Sequence, residues 1–174
     1  MAILDLLKMP KEKTLQQLAR RFPQVDITAL QSYLLFLKVS SDLEQARREQ
    51  LARHGLSPGR FVLLMLLFDA GKKGLSPTHL AKSATVSGAT VTGLIDGLQK
   101  SGLVQRKTSP KDRRVQVIVL TPKAERLLDR MLPHHFYRVA RLMSGISSSD
   151  RKTLYSCLEK MQSGIRRLRS EHGA

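Results

Sequence analysis

The chain has 174 residues, 41% of them hydrophobic, enough for one domain with its own core and too much for global disorder. Thirty Lys and Arg against fourteen Asp and Glu leave a net charge of +16, which calls for a polyanionic partner, nucleic acid first among them. The absence of Trp and only 5% aromatics argue against stacking platforms for single strands, and the longest unbroken apolar run, residues 61–68, is far short of a membrane span.

The opening MAILDLLKMPKEK lacks the charged region and cleavage site of a secretory leader, so a cytoplasmic protein is expected. Residues 1–25 form an N-terminal extension, with an extra helix expected around LQQLARRFPQVD. Over 27–53, Leu30, Tyr33, Leu34, Leu37 and Leu43 make one face of a long helix that ends near Gly55. Three start signals of one kind follow: Ser57-Pro58, Ser76-Pro77 and Thr121-Pro122. Each sets a hydroxyl that accepts from an orphaned amide before a proline whose missing donor costs nothing at the first helical position.

The Ser57 helix holds FVLLMLLF, apolar all round, and is expected to be buried and central, stopping at Gly71. Short helices are expected over 77–84 and, after the Ser87-Gly88 turn, over 89–100, closed by Gly102. LVQRK at 103–107 and VQVIVL at 115–120 read as two strands of a hairpin whose tip carries Ser109, Pro110 and Asp112. The Thr121 helix repeats apolar residues through Leu128, Met131, His135, Val139, Leu142 and Ile146. A last helix, capped near Ser147, carries a coiled-coil-like seam of Leu154, Leu158, Met161, Ile165 and Leu168. The fold class is therefore mainly α with a small β-hairpin wing. A winged helix-turn-helix over 56–121 is flanked by helical regions, 26–55 and 122–172, that read as a dimerisation arm.

Several residues in this frame suit contact with duplex DNA. The first turns of a recognition helix meet base edges in the major groove, and Ser87, Thr90 and Thr92 supply small hydroxyls there. Ser87 reads equally as a helix cap. The Ser76 helix start aims free amides at a phosphate, with Thr78 and His79 beside it. Arg106, Lys107 and Lys111 surround the hairpin and suit phosphate neutralisation. Arg114, on a slim tip, suits a narrow minor groove, with Asp112 two residues earlier placed to orient it. Arg113 alternates to the other side, toward phosphate or solvent. The competing reading of the tip is a solvated ion pair.

The stretch LSPTHLAKSATVSGATVTGLIDGLQKSGLVQRK followed by DRRVQVIVLT resembles the MarR (multiple antibiotic resistance regulator) family of winged-helix regulators. It matches the family's hydroxyl-rich start, its G-L-V-x-R exit, and its D-x-R-x-x-x-x-x-L-T wing with Asp112, Arg114, Leu120 and Thr121 in place. The resemblance implies a homodimeric transcriptional regulator on a pseudo-palindromic operator, most often a repressor. It further implies release by a small aromatic or anionic effector, and assigns the minor-groove contact to Arg114. The extension before Asp26 resembles the extra helix of the urate-responsive branch. This chain, however, has no tryptophan and shows Val62 where that branch has an acidic residue, which speaks against urate.

His135 lies on an apolar seam and reads as a buried core histidine, and Cys157, beside Leu158, as a small buried apolar residue. A lone cysteine forms no internal disulfide, which suits a reducing compartment. The peroxide-sensing branch of the family carries its cysteine near the N-terminus, where this chain has none. His134 and His135 have no Cys or carboxylate at ligand spacing, so no metal is expected. No cofactor motif and no catalytic constellation is present in the sequence. Two rival readings remain open: an architectural DNA binder without operator specificity, and a basic helical interaction module for acidic proteins or lipids.

Overall fold

The computed structural model describes residues 12–108 and 116–171. The elements in chain order are α1 (Glu12–Arg21), α2 (Ile27–Ala52), α3 (Pro58–Ala70), a 3-10 turn (Gly71–Lys73), α4 (Pro77–Ala84), α5 (Gly88–Lys100), β1 (Val104–Thr108), β2 (Gln116–Leu120), α6 (Pro122–Leu142) and α7 (Ser148–Glu171). They fall into two compact units, which divide between Thr121 and Pro122.

In the first unit one device starts four helices. Asp26, Ser57, Ser76 and Ser87 each stand in extended backbone and accept, through the side chain, from the amide three residues on. The distances are 3.0 Å to Ala29, 3.3 Å to Arg60, 3.2 Å to His79 and 3.2 Å to Thr90. The Ala29 amide and the Thr28 hydroxyl bond the ionised form of Asp26 and so hold its carboxyl below the ordinary carboxylate range. Gly71, with φ 58°, stops α3 at the position its sequence predicts.

The core of this unit lies around α3. Phe61, Leu63, Leu64 and Leu67 are buried there, together with Leu80 of α4, Val91, Ile95 and Leu98 of α5, and Leu103, Val104 and 117–119 of the hairpin. Phe68 breaks the all-round burial expected of α3, with 45% of its surface exposed. Fully burying such side chains contributes about 1.5–3 kcal/mol each before chain entropy is set against it.

The hairpin is antiparallel, pairing Val104 with Leu120 and Thr108 with Gln116. A third piece of sheet has no counterpart in the sequence pattern. Leu75 exchanges both backbone bonds with Ile118, donating at 3.0 Å and accepting at 2.8 Å, and so pins the hairpin beside the α4 start. The residue before it has to be glycine. Gly74 has φ 62°, and a Cβ there would run into the Ile118 carbonyl oxygen and Val119 Cγ1.

The second unit is two helices. α6 runs through Pro133 without ending, and Ala124, Leu128, Met131 and Leu132 are buried along it. Its later apolar residues, Val139 and Leu142, are exposed. The Ser147 hydroxyl caps α7, accepting from the Asp150 amide at 3.1 Å and donating to its carboxylate at 2.6 Å. α7 buries none of its residues. Two expectations change here. Cys157 is exposed rather than buried, on a helix with no buried residue, and His135 is half-buried, its ring tilted against Phe136 at 5.8 Å.

Candidate nucleic-acid interface

The face that α5 offers outward follows from the face it buries. Val91, Ile95 and Leu98, at steps of four and three, are all but completely hidden. Thr90 and Thr92 flank that buried line and are exposed, as are Ser87, Gly88, Ala89 and Gly93. The Ser87 and Thr90 hydroxyls lie 2.8 Å apart, so the cap and the neighbouring hydroxyl form one polar pair at the helix start. Thr92 donates to the Gly88 carbonyl at 3.0 Å, and its hydroxyl oxygen keeps its capacity to accept. Both readings of Ser87 therefore stand together, since it caps the helix and remains exposed.

Two residues that the sequence pattern does not single out belong to the same face. A glycine inside a helix costs about 1 kcal/mol relative to alanine. Gly88 and Gly93 are not in left-handed backbone, and nothing lies within 4 Å of where a Cβ would stand. Neither chain geometry nor packing asks for glycine there, and the result is a first turn with almost no bulk. Position in the recognition helix is the only signal that the sequence offers for them.

Ser76 caps α4 as expected, and Thr78 and His79 of its first turn are exposed beside it. The turn between α4 and α5 passes through Thr85 in left-handed backbone, φ 56° and ψ 43°, an unusual place for a β-branched side chain. Arg106 is engaged within the unit. Its guanidinium donates to Asp96 at 2.9 Å and to Gln99 at 3.3 Å, bracing β1 against the exposed side of α5. Lys107, next along the strand, is exposed. Lys111, Asp112, Arg113 and Arg114 lie outside the described residues. Thr121 closes the hairpin, donating from its hydroxyl to the Gly102 carbonyl at 2.7 Å.

Over 56–121 there are ten Lys and Arg against three acids, so this stretch of the chain carries a net charge of +7. Among the described residues no group of His, Cys, Asp and Glu is arranged to hold a metal ion. No described helix is long and apolar enough to cross a membrane.

Two helices joined by a tight turn, the second small and hydroxyl-bearing on its outer face, then a two-stranded ribbon: this is a winged helix-turn-helix. A family model described as the MarR family matches residues 56–115. The HTH-type transcriptional repressor YetL of Bacillus subtilis (strain 168) is 36% identical over 148 residues, which cover 85% of this chain and 89% of YetL. Among solved structures, an S. aureus MepR–DNA complex superposes with a TM-score of 0.68 at 22% identity, covering 76% of this chain and 95% of that one. CouR from Rhodococcus jostii RHA1, bound to p-coumaroyl-CoA, gives 0.64 at 24% identity, covering 74% and 89%. The chain belongs to the MarR family.

Proposed function

We propose that the protein is a homodimeric transcriptional repressor that reads a pseudo-palindromic operator in duplex DNA and is released from it by a small aromatic or anionic effector. The observation that carries this reading is the outer face of α5. Ser87, Thr90 and Thr92 stand exposed on a helix start stripped of bulk at Gly88 and Gly93, which is what close approach to base edges requires. The phosphate contacts fall to Ser76, Thr78 and His79 at the α4 start and to Lys107 and Lys111. Arg106 serves the same end while braced on Asp96, through guanidinium donors left over from that pair. Asp112, Arg113 and Arg114 make up the wing's contact, with Arg114 in the minor groove.

Support for repression comes from YetL, a named repressor, and support for DNA binding from MepR, whose structure holds DNA. CouR's p-coumaroyl-CoA supports an effector of aromatic and anionic character. The regions 26–55 and 122–172 form the dimerisation arm. α2 exposes Tyr33, Leu35, Phe36, Val39 and Leu43, and α7 exposes the whole Leu154–Leu168 seam, more apolar surface than a monomer keeps without reason.

The experiment is binding of wild type and Arg114→Ala to DNA from upstream of its own gene and to a scrambled duplex across a salt series. Wild type is expected to prefer the native duplex, and the folded variant to lose about 1–3 kcal/mol of that binding. Equal, steeply salt-dependent binding to both duplexes would replace the operator-reading assignment with an architectural one.

A further inference from the structure

We propose that α6 carries a second contact for duplex DNA, a line of cations distinct in sequence from the reading head; the proposal rests on the DNA-binding reading above. Of the sixteen net positive charges, nine lie outside residues 56–121. In α6 they are ordered. Lys123, Arg126, Arg130, His134, Arg138 and Arg141 follow one another at steps of three, four, four, four and three, the spacing that keeps side chains on one helix face. All six are exposed. The residues α6 buries, Ala124, Leu128, Met131 and Leu132, fall on another face.

Alternating signs along a helix face mark one that serves solvation. α2 does this: Lys38 pairs with Asp42 at 2.6 Å, and Glu44 takes both Arg47 and Arg48, at 2.8 Å and 3.4 Å. On α6, none of Arg126, Arg130, Arg138 and Arg141 is in an ion pair among the described residues, although Glu125 and Asp129 are close in sequence. Like charges one turn apart destabilise a helix. The line is therefore maintained against the helix's own preference, which points to a partner.

The partner's chemistry follows from length and residue type. The line spans about 27 Å of helix, over which one DNA strand presents about eight phosphates. Four of its members are arginines, whose flat forked donors match phosphate better than a lysine's point charge does. Tyr137 lies four residues before Arg141, 63% exposed, and adds a hydroxyl donor of the kind that positions a backbone without reading sequence. Nothing on this face resembles the small, bulk-free start of α5, so the contact is made without regard to sequence.

The test uses the full chain with Arg126→Ala, Arg130→Ala and Arg138→Ala combined, substitutions that suit an exposed helix. Binding to a long scrambled duplex is followed across a salt series, with circular dichroism to show the helix content kept. The slope of log affinity against log salt is expected to fall by about 2–3 for each protomer on the duplex, near 0.9 for each phosphate no longer neutralised, with about a tenfold loss of affinity at low salt. A control of equal charge change, Arg166→Ala, Arg167→Ala and Arg169→Ala on α7, is expected to leave the slope within about one unit.

An unchanged slope in the α6 variant overturns the proposal, and so does an equal fall in the control, which would reduce the effect to net charge. Duplex binding indifferent to the three arginines, with polyglutamate binding that depends on them, would assign the line to an acidic polypeptide and overturn it too. A wild type without operator preference, whose slope nonetheless falls in the α6 variant, would sink the reading-head assignment and still support the line.

Discussion

Residues 56–121 hide Leu64, Leu67, Leu80, Val91 and Leu98 completely, whereas α7 repeats apolar residues at helical spacing and buries none. The raw material is similar and the outcome opposite. In the first region helices of 8 and 13 residues fold back on one another through tight turns, so each apolar stripe meets its cover within the same chain. α7 is a single run of 24 residues, and none of its stripe is buried. A core closed within one chain gives stability independent of protein concentration, while a seam covered by a second copy, as proposed above, would tie stability to mass action. Concentration is thus the variable that separates the two regions.

The largest expected effect strikes the closed region. Gly74→Ala puts a methyl into the Ile118 carbonyl, which cannot yield without breaking the bridge to Leu75, and forces alanine into φ 62°, ψ −175° backbone. A loss of about 3 kcal/mol or more is expected, near 10 °C in Tm, and the same at every protein concentration. A variant melting with the wild type would show that the hairpin is not pinned there. The next effect belongs to α7. Leu158→Asp sets a charge in the middle of the seam and is expected to weaken the proposed dimer about 100-fold, some 2.7 kcal/mol. Light scattering at micromolar concentration would then report a monomer, while α5 and the hairpin stay folded. An unchanged dimer mass would remove α7 from the interface.

The helices of 56–121 were legible in the sequence because their signals are local. A hydroxyl before a proline, an apolar run and a stopping glycine each act within a turn of the residue that carries them. The Leu75–Ile118 bridge was not legible, since one residue pairing across more than forty positions leaves no periodicity. The Arg106–Asp96 brace escaped for a related reason: joining a strand to a helix, it follows neither the strand's spacing nor the helix's. Cys157 and His135 depart from the burial expected of them because an apolar stripe announces that it wants cover without saying whether the cover lies in the same chain. The site divides in the same way. Ser76 and Ser87 were found through their caps, but Gly88 and Gly93 mean something only once the space around them is known to be open.

The smallest effect sharpens the comparison most, because it is a gain. Thr85 holds left-handed backbone in the turn that sets α5 against α4, and its neighbours are locked by bonds from the Thr85 amide to Lys82 and from the Val86 amide to Ala81. Left-handed backbone costs a residue with a Cβ about 1–2 kcal/mol. Glycine relieves that strain but is freer in the unfolded chain by about 0.5–1 kcal/mol. Thr85→Gly is therefore expected to stabilise by about 0.5–1 kcal/mol net, read as a higher denaturant midpoint at unchanged slope. The gain belongs to a turn closed within one chain, so it should be equal at low and high protein concentration and should survive in the Leu158→Asp background. A gain that appeared only at high concentration would mean that the helix-turn-helix, too, draws its stability from the second copy, and the contrast between the two regions would fail.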